Sequence, residues 1–152
     1  MEIELPDPDA QLAFGERIGQ LLPRRLVVYL EGDLGTGKTT LVRGVLRGLG
    51  HHGAVRSPTY TLMEPYDLPA ARVYHLDLYR LSDPEELEYL GLRDLSDEDA
   101  LLLVEWPERG AGTLPPPDLI FRIRYQAKGR HLTLDAMTPE GYAVVRSFTA
   151  VG

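Results

Sequence analysis

Two stretches of the chain are unbroken apolar runs: "RLVVYLE" at 25–31 and "ALLLVEW" at 100–106. Runs of that kind are what strands buried on both faces show. Elsewhere the apolar positions recur at helical spacing. In 8–22 they fall at Leu12, Ile18, Leu21 and Leu22 with Phe14 nearby, and Asp7 or Asp9 can serve as N-cap. In 38–49, Leu41, Val45, Leu46 and Leu49 share one face and Gly50 can close the helix. Residues 83–92 predict a third helix, with Asp83 as cap, Pro84 at the first position and acids in the first turn. "EIEL" predicts a short first strand. β-Branched and aromatic residues at 58–68 and 71–81 predict a hairpin around "DLPAA". "DLIFRIRYQ" and "RHLTLDAM" predict an antiparallel pair around "AKG", and the tail from Pro139 a short helix. Pro107 and the prolines at 115–117 break the chain. The order implies an α/β sheet, parallel in part and antiparallel at one side, with helices packed on it.

Composition narrows the possibilities. The 152 residues, 43% of them hydrophobic, predict a single domain over 1–152 with a real core. There is no cysteine, so disulfides and thiolate metal sites are excluded. No stretch approaches the roughly 20 apolar residues of a membrane span, and "MEIELPDPDA" is not a secretory signal. A cytoplasmic location is expected. The net charge of −7 opposes broad binding to DNA, tRNA or anionic lipid by this chain alone. Basic residues are almost all Arg, and the only lysines are Lys38 and Lys128.

One of those lysines sits in "GDLGTGKTT", Gly32 to Thr40, between the first apolar run and the second helix. The segment Gly32-Asp33-Leu34-Gly35-Thr36-Gly37-Lys38-Thr39 fits G-x-x-x-x-G-K-[ST] at every fixed position. A polyphosphate needs compact neutralisation. Gly32, Gly35 and Gly37 admit backbone angles closed to other residues, so successive N–H groups can converge on phosphate oxygens. The helix start adds free amides and the positive end of its dipole. Lys38 can reach the β and γ phosphates, the Thr39 hydroxyl can ligate Mg²⁺, and Thr40 can donate to the α phosphate. The fold expected is therefore a P-loop NTPase-like three-layer arrangement with helices on both faces of a mixed sheet. Guanine readers use an Asn-Lys-x-Asp segment. This chain has no Asn, so ATP is favoured by elimination.

Phosphate transfer also needs acids. Asp77 in "YHLDLYR" and Glu105 in "LLLVEW" end apolar runs, where ligands of open α/β sheets sit. A carboxylate there can hold Mg²⁺, directly or through water, or orient an attacking water. Ser57 to Thr61, including Thr59, follows the second helix, a usual place for a loop that senses the γ phosphate; on composition alone it reads first as an ordinary turn into a strand. Trp106, the only tryptophan, can stack on a base, serve a partner or pack in the core. Arg130 at a hairpin tip reads first as a solvated arginine, with a phosphate or adenine also in reach. Arg80 is a finger candidate on position only. The four histidines show no metal-ligand spacing and read as structural or exposed, and Glu85, Glu86 and Glu88 as a solvated helix face. A small-molecule kinase would use the same loop, but it usually adds an Arg-rich lid, and "FRIRYQAKGR" reads as a hairpin.

The motifs "GDLGTGKTT", "SPTYTLMEPY", "VYHLDLYRL", "DPEELEYLG", "LVEWPERG" and "YQAKGR" follow in this order, from about residue 9 to about 136. Together they resemble the TsaE (YjeE) family of small bacterial ATPases. The resemblance implies slow ATP hydrolysis in support of the TsaB–TsaD pair, which transfers a threonylcarbamoyl group to adenosine 37 of tRNAs reading ANN codons. It implies Mg²⁺ on Thr39 and Glu105, Asp77 at the hydrolytic centre, and a switch role for Ser57 to Tyr60. It implies Trp106 and Arg130 beside the nucleotide.

Overall fold

A computed structural model describes residues 1–56, 58 and 61–151, without the side chains of Arg93, Ser96, Asp97 and Val151. The chain runs β1 (Glu2–Leu5), α1 (Pro8–Gly19), β2 (Leu26–Glu31), α2 (Lys38–Gly48), β3 (Met63–Asp67), β4 (Arg72–Asp77), α3 (Glu86–Tyr89), α4 (Leu92–Asp97), β5 (Ala100–Glu105), a 3-10 turn (Pro107–Gly110), β6 (Leu119–Tyr125), β7 (Arg130–Ala136) and α5 (Pro139–Val151). The seven strands form one sheet in the order β1-β7-β6-β2-β5-β4-β3. Strands β6, β2, β5 and β4 are parallel. Antiparallel pairs flank them: β6–β7 and β7–β1 at one margin, and the β3–β4 hairpin at the other.

Strand alternation divides the core between the two faces. In β5, Leu101 and Leu103 point to a cluster with Phe14 and Ile18 of α1, Leu41 and Val45 of α2, and Val144 and Phe148 of α5. Leu102 and Val104 point the other way, to Leu87, Leu92 and Leu95 of the α3–α4 region. A strand packed on both faces has no polar alternation to show. Helices α1 and α2 pack closely because small residues meet: a Cβ on Gly44 would stand 2.4 Å from the Leu12 carbonyl oxygen and 3.0 Å from Gly15 Cα.

Several boundaries differ from those read in the sequence. Asp7, not Asp9, caps α1, accepting from Ala10 N at 2.8 Å, because Pro8 occupies the first helical turn. The helix stops at Gly19, and Leu21 and Leu22 pack on the core from outside it. Strand β3 starts at Met63 because Leu62 (φ 65°) turns the chain aside. The single helix expected over 83–92 is two short ones, split at Gly91 (φ 75°). Among the described residues, no helix is long and apolar enough to cross a membrane.

Candidate functional site

The glycine-rich loop spans 32–37, between the end of β2 and the start of α2. Gly35 (φ 82°) and Gly37 (φ 100°) take left-handed backbone that a side chain disfavours. Gly37 is the N-cap of α2 and brings no side-chain hydrogen bond to the helix start. The first amides of α2 thus have no capping side chain, the arrangement that suits an anion. Thr36 is buried, and its hydroxyl and amide both donate to the Asp33 carbonyl, at 2.8 and 3.2 Å. Both residues shape the loop.

Three of the loop's carbonyls, those of Leu34, Gly35 and Thr36, are held by side chains of other elements. Gln11 Nε2 of α1 donates to the Thr36 oxygen at 3.0 Å, and Arg130 Nε of β7 to the same oxygen at 3.2 Å. Arg130 Nη2 reaches the Gly35 oxygen at 3.4 Å, and the Tyr125 hydroxyl donates to the Leu34 oxygen at 2.6 Å. Within one trans peptide unit the C=O and the following N–H point in opposite directions. Taking up the Leu34 and Thr36 carbonyls from outside therefore turns the amides of Gly35 and Gly37 the other way, while the Thr36 amide is spent on Asp33.

That other side is a cavity of about 490 Å³. It is lined by Leu34, Gly35, Gly37, Lys38, Thr39 and Thr40 from the loop and α2, and by Asp77, Tyr79, Arg80, Glu105 and Trp106 from the ends of β4 and β5 and the residues after them. Parallel pairing of β4 and β5 sets Asp77 beside Glu105 at the carboxyl ends of both strands. Burial is the main influence raising the Asp77 carboxyl above the ordinary range, and Glu105 adds to it. The Tyr79 amide donates to Asp77 Oδ1 at 3.1 Å and works against both, as do His75 and Lys38. Lys38 is 5% exposed. Its burial pulls the ammonium below its usual range against Glu105, Glu108, Asp77 and Asp33, which all favour the charge. The ammonium donates to the Gly32 carbonyl and lies 3.6 Å from the centre of the Trp106 ring. Trp106 has φ 57°, a strained angle for a bulky residue, and this turn carries the indole back over Lys38.

Thr39 Oγ1 stands 3.4 Å from each carboxylate oxygen of Glu105, long for an O–H···O bond. One hydroxyl and one carboxylate, both hard oxygen donors, suit Mg²⁺, which keeps most of its ligands as waters and phosphate oxygens. Among the described residues there is no group of three or more His, Cys, Asp or Glu that could hold a metal ion. Glu105 is 2% exposed, and its Oε2 accepts from Nε2 of fully buried His75 at 2.6 Å.

A family model described as Threonylcarbamoyl adenosine biosynthesis protein TsaE matches residues 5–132. The chain belongs to the TsaE family. It is 45% identical over 150 residues to the tRNA threonylcarbamoyladenosine biosynthesis protein TsaE of Haemophilus influenzae, covering 95% of each chain. With the TsaE of Borreliella burgdorferi the identity is 34% over 130 residues, 85% of this chain and 93% of the other. The crystal structure of YdiB from Bacillus subtilis superposes with a TM-score of 0.86 at 26% identity, over 99% of this chain and 95% of that one. The family is thus one of tRNA threonylcarbamoyladenosine biosynthesis.

Within this TsaE-family site, the residues singled out in the sequence fall into three groups. Lys38, Thr39, Thr40, Asp77, Glu105 and Trp106 meet at the cavity with Gly35 and Gly37. Arg130 sits behind the loop, on its carbonyls, with Gly32, Asp33 and Thr36 forming the loop's base. Ser57 and Thr59 lie outside the described residues. Gln11, Tyr125 and His75 were not singled out. A signal existed for two of them. Gln11 is a polar member of the stripe 11, 14, 15, 18, and His75 shares the alternation of Val73 and Asp77.

Proposed function

We propose that the protein is a P-loop ATPase. It binds ATP with Mg²⁺ and hydrolyses it in support of the threonylcarbamoylation of adenosine 37 in tRNAs reading ANN codons, acting with the TsaB–TsaD pair. The observation that carries this reading is the convergence of Lys38, Thr39, Asp77 and Glu105 on one cavity at the open side of the glycine-rich loop. Family membership supports the pathway, and the absence of any Asn, hence of an Asn-Lys-x-Asp guanine reader, supports ATP over GTP.

The residues divide the work. The free amides between Gly35 and Thr40 cradle the phosphates. Lys38 exchanges the Gly32 carbonyl for phosphate oxygens, a stronger acceptor for a partly desolvated ammonium. Thr39 and Glu105 hold a divalent cation, which when bound offsets the charge of the transferring phosphoryl group. Asp77 accepts a proton from, or orients, the attacking water. Its raised pKa moves its basicity toward neutral pH, as a general base requires. Trp106 covers Lys38 and keeps water from that side. Positioning and charge supply most of the rate in such sites, so a partner that completes the positioning raises turnover.

Phosphate release measured with ATP and with GTP, each with and without the TsaB–TsaD pair, tests the proposal. ATP is expected to be turned over slowly by the chain alone and faster with the pair. No phosphate release from ATP in the presence of a functional pair would overturn it.

A further inference from the structure

His75 is fully buried, yet it is polar, and nothing in the roles above uses it. Strand alternation on β4 puts Val73, His75 and Asp77 on one face, the face covered by α2. A leucine there would fill the same core. The imidazole instead places Nε2 2.6 Å from Oε2 of Glu105 on the neighbouring strand. An ionised carboxylate only accepts, so Nε2 carries the proton and donates. The opposite ring nitrogen, Nδ1, is buried and has no hydrogen-bond partner among the described residues. The ring is thus committed to a single partner. Glu105 is 2% exposed and lies in register with Asp77, another carboxylate. A polar group that buried needs a hydrogen bond to hold it in one orientation. Thr39, at 3.4 Å from both oxygens, does not supply a strong one.

We propose that His75 is a positioning residue for Glu105: its Nε2–H holds one carboxylate oxygen, so that the carboxylate faces Thr39 in the orientation a divalent cation needs. This rests on the reading of Thr39 and Glu105 as the cation's protein ligands. Groups that orient metal-binding carboxylates commonly change metal affinity by about 10- to 100-fold when removed.

The test is calorimetric titration of the non-hydrolysable β,γ-imido analogue of ATP, with saturating Mg²⁺ and with EDTA. The proteins compared are the native protein, Glu105→Gln, His75→Leu and His75→Gln. In the native protein Mg²⁺ is expected to tighten binding, and in Glu105→Gln that gain shrinks. His75→Leu is expected to keep the affinity seen in EDTA and to lose about tenfold or more of the Mg²⁺-dependent gain. His75→Gln, whose amide can reach the place of Nε2, restores most of it. Should His75→Leu fail to fold, His75→Asn carries the same expectation, because its shorter amide stops short of Glu105. A folded His75→Leu or His75→Asn protein with the native gain, beside a defective Glu105→Gln, overturns the role of His75 alone. A loss that His75→Gln does not repair assigns the effect to packing and overturns it equally. Absence of any Mg²⁺-dependent gain in the native protein overturns the cation reading and this inference with it.

Discussion

Asp77 and Lys38 are held in environments that disfavour their charged forms, and burial is the main cause for both. The effect on stability has a definite sign for Asp77. Its folded pKa lies above the unfolded one, so the native state binds more protons between the two values and loses stability as pH rises through that window. Above the window the ionised carboxylate is a standing cost. Asp77→Asn keeps the acceptor for the Tyr79 amide and removes the charge. Without nucleotide or cation, it should melt on the order of 1–3 °C higher than the native protein at pH 7. The gain should vanish below the ordinary Asp range, as scanning calorimetry at several pH values would read. The same variant should bind ATP normally and turn it over about 100-fold or more slowly, since general-base catalysis is commonly worth about that much. Lys38→Ala should act on both steps. Losing a charge-assisted contact to phosphate costs about 2–4 kcal/mol, so affinity should fall about 30-fold or more in a direct titration.

At the level of elements, the contact between α1 and α2 fixes how the loop meets the helix that follows it. Gly44 is in the interior of α2, where alanine would ordinarily stabilise by about 1 kcal/mol. Here a Cβ would strike the Leu12 carbonyl oxygen at 2.4 Å. Overpacking against backbone costs about 1–3 kcal/mol before that gain is counted, and backbone cannot rotate away as a side chain can. Gly44→Ala should therefore lower stability in denaturant titration; an increase would show that the helices separate freely. Elements with strong patterns were legible in the sequence. The apolar runs became β2 and β5, and the Gly50 stop (φ 102°) closes α2. What was not legible depends on backbone angles that sequence barely encodes. Leu62 and Trp106 take left-handed angles with side chains that disfavour them, and Gly91 divides a continuous helical pattern. In the site, the contiguous motif and the two strand-end acids could be read directly. Gln11, Tyr125 and His75 could not be assigned, because their partners lie 25, 91 and 30 residues away in the chain.

For the molecule as a whole, net charge sets the expectation for partners. At −7 the chain should show no measurable tRNA retention in a gel-shift assay at physiological salt when alone. Any tRNA contact should appear only with the TsaB–TsaD pair present. Strong binding by the isolated chain would show that a local basic surface outweighs the net charge. The loop that grips phosphate in this proposal is one short stretch of sequence, yet its carbonyls are fastened by Gln11 from near the beginning of the chain and by Arg130 from near the end. The motif is thus written locally but shaped from both extremities. A fragment retaining residues 26–50 would carry every recognisable letter of it and still lack the clamps that give it form, so the excised peptide should be inert toward triphosphates.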